Sequence, residues 1–330
     1  VSLFAELESK GHLPVNFYPS FTKDDDPSSG FAYGWPPPRF GNAYWAANNR
    51  YGLLVETHSW KDYRTRVTTT YDVCLGLLRL TSEDGSRWLK AAREADVAES
   101  KRAGSDVVML WEPKKTSRPL EFKGYAYTRE PSEVSGQPWV RYDETKPQVW
   151  TVPYLDELVP SLTVKTPAAG WVVPVPYAGW VAEKLALHGV AFTTLKEARG
   201  RVEVEAYRLV APKFRNVPYE GRLIVTARDG EWLARTVELP KGSLFVPAAQ
   251  AKLFLAMHLL DPTSPDSFLA WGFFNANLEQ KEYLEDYVTE DAARAMLKDP
   301  KVLAEFNAKL KDPEFSKNPE ARLAFFSTRH

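Results

Sequence analysis

The sequence predicts an α/β fold: an α/β part over residues 1–105, a β-rich accessory domain over 106–250 and a mainly helical region over 251–330. Three observations predict it. A short continuous apolar run at 51–57 is followed by helical text, the strand-loop-helix order of an α/β sheet. From 106 to 250, short β-like runs recur between turn signals. Helical text then returns and holds to the end, broken by Asp-Pro and Asn-Pro pairs at 299–300, 312–313 and 318–319. At roughly 150 residues per domain, the length suits about two domains.

Taken in order, residues 1–10 read as helix, with Leu3, Phe4 and Leu7 at helical spacing and Gly11 as its stop. Residues 12–42 are irregular and hold Asp24-Asp25-Asp26-Pro27, Ser28-Ser29-Gly30 and Pro36-Pro37-Pro38. A loop this long is usually functional or disordered. Its aromatics (Phe17, Tyr18, Phe21, Phe31, Tyr33, Trp35 and Phe40) predict an ordered, packed one. Tyr51–Thr57 reads as a strand buried on both faces. It ends at Glu56, and ligand sites in α/β sheets lie beyond the carboxyl ends of strands. Two helices are expected next. One spans 64–80 with Val67, Tyr71, Cys74, Leu75 and Leu78 in apolar phase; the other spans about 84–104. The β-like runs are Val107–Trp111, Glu121–Tyr127, Gln148–Val152, Leu162–Lys165, Trp171–Val175, Val202–Leu209, Arg222–Ala227, Trp232–Val237 and Ser243–Val246. A helix over Ala178–His188 stops at Gly189, and helices are expected again at 248–260 and 278–327.

Composition narrows the function. With 42 Lys+Arg against 43 Asp+Glu, the net charge is -1, and there is no basic stripe of the kind nucleic acids recognise. No apolar run approaches the ~18 residues of a membrane span. Cys74 is the single cysteine, so no internal disulfide or cysteine-based metal site is expected. The 11 Trp, 15 Tyr and 17 Phe suit core packing, the plainer reading, and also a carbohydrate site.

Few residues offer chemistry. His12, His58, His188, His258 and His330 form no HxxE or HExxH motif, and a zinc site needs three or four converging ligands. His188 reads as a helix C-terminal residue and His258 as a core one. No GxSxG, Walker loop or GxGxxG occurs, and Cys74 reads as an inert core thiol. The Asp24–Asp26 triplet reads as a solvated loop rather than a cation site. Glu56 remains. A carboxylate closing a buried strand is partly desolvated, which suits a general base; the alternative is a structural ion pair with Arg64 or Arg66.

The segment NNRYGLLVETHSWKDYRTRV resembles the one carrying the catalytic glutamate of zinc carboxypeptidases of the carboxypeptidase A type. The stretches FYPSFTKDDDPSSGFAYGWPPPRF, FKGYAYTREPSEVSGQPWVRYDE, PQVWTVPY and PDSFLAWGFFNANLEQKEYLEDYV resemble a bacterial branch of that family with a large C-terminal extension. The resemblance implies that residues 1–105 are the C-terminal half of the catalytic domain, a mixed sheet with helices. It implies a peptide substrate and zinc as cofactor, zinc lowering the pKa of a bound water and polarising the scissile carbonyl. Glu56 matches the general acid/base. Tyr33 is the counterpart of a tyrosine that closes over substrate, with Tyr44 as its competitor, and Arg39 is a third candidate for substrate contact. The HxxE pair, the third ligand histidine and the Asn-Arg pair for the substrate carboxylate have no match in this sequence. They are expected in a segment preceding Val1, so that this chain alone holds no catalytic zinc. The resemblance also favours a periplasmic or secreted location. Two other readings compete: a non-catalytic glycan- or protein-binding module using aromatic residues, and a family member whose site has decayed. The first reading demands exposed apolar surface where the sheet has lost its neighbours.

Overall fold

The computed structural model describes residues 2–279, 285–327 and 329. The chain is mixed helix and sheet, and its contacts divide it into two compact units, Val1–Phe273 and Phe274–His330.

The first unit opens with helix α1 (Leu3–Ser9), capped by the Ser2 hydroxyl, which accepts from the Ala5 amide. Strands β1 (Ser20–Phe21) and β2 (Phe31–Ala32) follow, then helices α2 (Gly41–Ala47) and α3 (Tyr63–Glu99). Next come β3 (Asp106–Pro113), β4 (Arg118–Pro131), β5 (Pro138–Leu155), β6 (Leu158–Lys165) and β7 (Gly170–Val173). Helix α4 (Val175–Leu187) ends at Gly189, whose φ of 66° is in the left-handed region that glycine tolerates. Strands β8 (Thr193–Thr194), β9 (Arg199–Leu209), β10 (Lys213–Phe214), β11 (Val225–Ala227), β12 (Gly230–Leu239) and β13 (Leu244–Pro247) precede helix α5 (Leu253–Leu260). Every β-like run of the sequence meets a strand, although those at 171–175, 222–227 and, by one residue, 243–246 extend beyond it.

These strands make several small sheets: β1-β2-β5-β4, β3-β6, β7-β13-β8, β9-β12 and β10-β11. The long β4–β5 hairpin is antiparallel, while β2 runs parallel to the end of β5, with Phe31 opposite Tyr154. Phe31, Val152 and Tyr154 form a buried cluster there with Phe17, Phe21, Tyr33 and Phe122 packed on it. Phe17, Phe21, Phe31 and Tyr33 of the 12–42 loop are packed as its composition predicts, whereas Tyr18, Trp35 and Phe40 are exposed. A second cluster joins Val107 and Met109 of β3 to Leu253 and Met257 of α5.

The second unit holds helices α6 (Asn275–Leu278), α7 (Asp286–Met296), α8 (Pro300–Lys309), α9 (Pro313–Lys317) and α10 (Pro319–Ser327). The X-Pro pairs are helix starts: the carboxylates of Asp299 and Asp312 accept from the amides of Lys301 and Glu314, and the Asn318 side chain accepts from Ala321. In each, proline occupies a first-turn position where its missing N–H costs nothing. Phe306, Phe325, Phe326 and Ala293 form the core. Residues 280–284 of the expected 278–327 helical stretch, and His330, lie outside the described residues.

Three expectations for residues 51–104 are corrected. The predicted strand at 51–57 belongs to no sheet among the described residues. The two predicted helices are one, α3, because Gly85 is a tolerable interruption and the pairs Arg79–Glu83 and Arg87–Asp84 span the junction. The predicted core face of that helix is exposed, Val67, Tyr71, Leu75 and Leu78 included, and so is Cys74. What α3 buries is Val73, Gly76, Ala92 and Glu99, with Gly76 beneath Leu3 of α1.

Candidate functional site

The candidate site is built on the segment from Arg50 to Asp62. At its start, the Arg50 guanidinium donates to both oxygens of Asp96, at 3.0 and 2.8 Å, and Asn49 donates to the same carboxylate at 3.1 Å. These hydrogen bonds hold Asp96 below the usual carboxylate range. At its end, the Asp62 carboxylate accepts from the Thr65 amide at 3.0 Å and caps α3.

These two anchors fix the shape of what lies between. Asp96 is 33 residues along α3 from Tyr63, about 50 Å at ~1.5 Å per residue. The 13 residues from Arg50 to Tyr63 span at most about 45 Å, and the paired side chains supply roughly 10 Å more. The segment is therefore close to fully extended and runs antiparallel to the helix it leads into. It carries no turn from Tyr51 to His58, and Tyr51 rests against Trp88 with ring centroids 5.5 Å apart.

Its side chains are uncovered. Tyr51 is 64% exposed, Leu53 53%, Leu54 51% and Val55 37%. Alternate residues of a strand point to opposite faces, so both faces lack cover. On α3, Tyr63, Arg66, Val67, Thr70, Tyr71 and Cys74 line a shallow depression of about 410 Å³.

Glu56 lies midway along the segment, exposed, and has no hydrogen-bond or ion-pair partner among the described residues. The expected burial is not present in this chain. The alternative pairing with Arg64 or Arg66 is not formed either.

The other candidates are placed elsewhere. The Arg39 guanidinium donates through Nη1 to Asp266 Oδ1 at 2.7 Å, and its backbone N–H donates to Oδ2 at 2.8 Å. Asp266 is itself buried, so Arg39 is an anchor for the aromatic loop. The Tyr44 hydroxyl meets His188 Nδ1 at 3.1 Å. Burial, with Lys184 nearby, holds that imidazole below its ordinary pKa. Tyr33 packs on the Phe31 cluster with its backbone N–H on the Leu155 carbonyl at 2.8 Å; its hydroxyl has no hydrogen-bond partner among the described residues. Sequence reasoning found none of these partners, because Asp266 and His188 lie far along the chain and carry no local signal.

No three His, Cys, Asp or Glu side chains converge to hold a metal among the described residues. No helix among them is long and apolar enough to cross a membrane. No family model, no curated protein and no solved structure matches the chain.

Proposed function

We propose that this chain is the C-terminal portion of a zinc-dependent metallocarboxypeptidase, acting on peptide substrates, with Glu56 as its general acid/base and the zinc ligands on a preceding segment. One observation carries the reading: an apolar run at 51–55 and the apolar residues of a 37-residue helix, Val67, Tyr71, Leu75 and Leu78, are all exposed. A strand with that composition is stable between two strand neighbours, with helices on the faces of the sheet. Sheet neighbours here would bury Leu53, Leu54 and Val55 and bring Glu56 to the rim of a closed sheet.

On this reading the chain's own residues do limited work. Glu56 accepts a proton from the attacking water and returns it to the departing amine. Asp96 and Asp62 fix the two ends of the strand that presents it. Tyr33, with its free hydroxyl, is the substrate-contact candidate. Arg39 and Tyr44 position the loop and α2 through Asp266 and His188. Zinc chemistry belongs to residues outside this chain.

The test is expression of the reading frame extended upstream of Val1, assayed for zinc content and release of C-terminal residues. We expect stoichiometric zinc, and for Glu56→Gln at least about a 100-fold fall in turnover with zinc retained. Unchanged turnover in that variant removes Glu56 from the mechanism. Stoichiometric zinc in the present chain alone overturns the division of labour.

A further inference from the structure

The geometry points to a saccharide-binding site on the β4–β5 hairpin, one that does not depend on the catalytic role of Glu56. A shallow surface depression of about 570 Å³ is lined by Asp25, Trp60, Arg141, Tyr142 and Glu144, together with Trp139 and Val140. Two indoles stand at it uncovered, Trp60 at 60% exposure and Trp139 at 44%. Trp60 is held in place edge-on to Tyr142, with centroids 5.7 Å apart. Tyr142 in turn stacks on Trp150, and Trp150 on Phe122. The outermost ring of the depression therefore stands on a rigid aromatic ladder rather than on a mobile loop.

The polar groups around these indoles are available. Asp25 has no hydrogen-bond or ion-pair partner among the described residues. Glu144 reaches Lys61 only at 3.8 Å, and Arg141 reaches Glu130 only at 3.9 Å, both beyond hydrogen-bond distance. Flat indole faces beside an unpaired Asp25, a loosely held Glu144 and a guanidinium match a pyranose ring: its C–H face stacks on the aromatic ring, and its hydroxyls donate to carboxylates and accept from arginine. Two carboxylates offset by Arg141 and the neighbouring Lys61 select a neutral sugar over an acidic one. Val140 is the single aliphatic side chain of the lining, too little for an apolar peptide anchor or a lipid chain.

An extended peptide pairing with the free edge of β5 is the main rival. The hairpin works against it. Its register jumps from Tyr125 opposite Pro147 to Ala126 opposite Asp143, which leaves Glu144, Thr145 and Lys146 bulged. Pro138 and Pro147 bracket the same stretch. Bulges and prolines are what blunt a sheet edge against strand addition. Here the bulge instead carries Glu144 into the depression.

The probes are the neutral hexasaccharides of β-1,4-glucose and β-1,4-N-acetylglucosamine, titrated against the full chain by calorimetry and tryptophan fluorescence. At least one is expected to bind saturably with a Kd below about 1 mM. Trp139→Ala should weaken that binding at least about tenfold, and Trp139→Phe should restore most of it. Trp232→Ala, at an exposed tryptophan on β12, should leave it unchanged. Because Trp139 is exposed, circular dichroism should show every variant folded. Binding by neither sugar, or binding indifferent to Trp139→Ala, overturns the proposal. Binding of an unstructured decapeptide in place of both sugars reassigns the edge to strand pairing. Glu56→Gln leaves saccharide binding intact, so failure of the catalytic reading and failure of this one are read separately.

Discussion

His258 is 1% exposed, and its Nδ1 lies 3.1 Å from the Ser264 hydroxyl. Burial lowers its pKa to about 4, with Asp266 opposing the shift. In the unfolded chain a histidine takes up a proton near pH 6.5. Between pH 6.5 and about 4 the unfolded state therefore binds more protons than the folded one, and stability falls as the pH falls through that window. The full effect is about 3 kcal/mol. Urea unfolding at pH 7 and pH 4 should show it, and His258→Gln should remove that share of the difference. A second residue-scale prediction concerns Asp266, buried against Arg39. Arg39→Ala leaves its carboxylate without its guanidinium partner. The cost should be about 2 kcal/mol, discounted because the arginine is itself partly exposed, and read as a lower urea midpoint.

At the scale of elements, what could be read from the sequence follows how local the cause is. The Asp-Pro and Asn-Pro pairs were legible as breaks in the helical text, and the structure makes each a helix start capped by Asp299, Asp312 or Asn318. The glycine stop after α4 was legible too. The merger of two expected helices into α3 was not, because a mid-helix Gly85 is a weak breaker and its neighbours decide the outcome. The apolar run at 51–57 was read as a buried strand and is neither strand nor buried here, because sheet membership depends on neighbours that no local pattern encodes. Two predictions follow at this scale. Amides of 51–58 should exchange with solvent rapidly in this chain, and gain protection when the upstream-extended protein is measured by hydrogen exchange. Gly30, at φ 73°, lies so close to β5 that an added Cβ would collide with the Pro153 carbonyl oxygen. Gly30→Ala should therefore destabilise by about 2–3 kcal/mol and loosen the β1–β2–β5 junction, visible in a thermal melt.

At the scale of the whole molecule, the candidate site was legible in part. Glu56 was singled out from its place in an apolar run, and the run's uncovered state is the feature on which its proposed role rests. The ties of Arg39 and Tyr44 were not legible, because each depends on a partner distant in sequence. The same exposed surface predicts concentration-dependent self-association in sedimentation velocity. Leu54→Asp with Leu78→Asp should abolish it at little cost in stability, since both side chains are already in water.

The clasp between Arg39 and Asp266 spans 227 residues. During synthesis the arginine leaves the ribosome long before its aspartate exists, and at roughly 5–20 residues per second the wait lasts about 10–45 s. Asn48 and Asn49 wait almost as long for Lys252 and the Ala251 carbonyl. Residues 39–49 are thus made about 200 residues before the partners that secure them, and a nascent chain halted short of residue 266 cannot close that clasp.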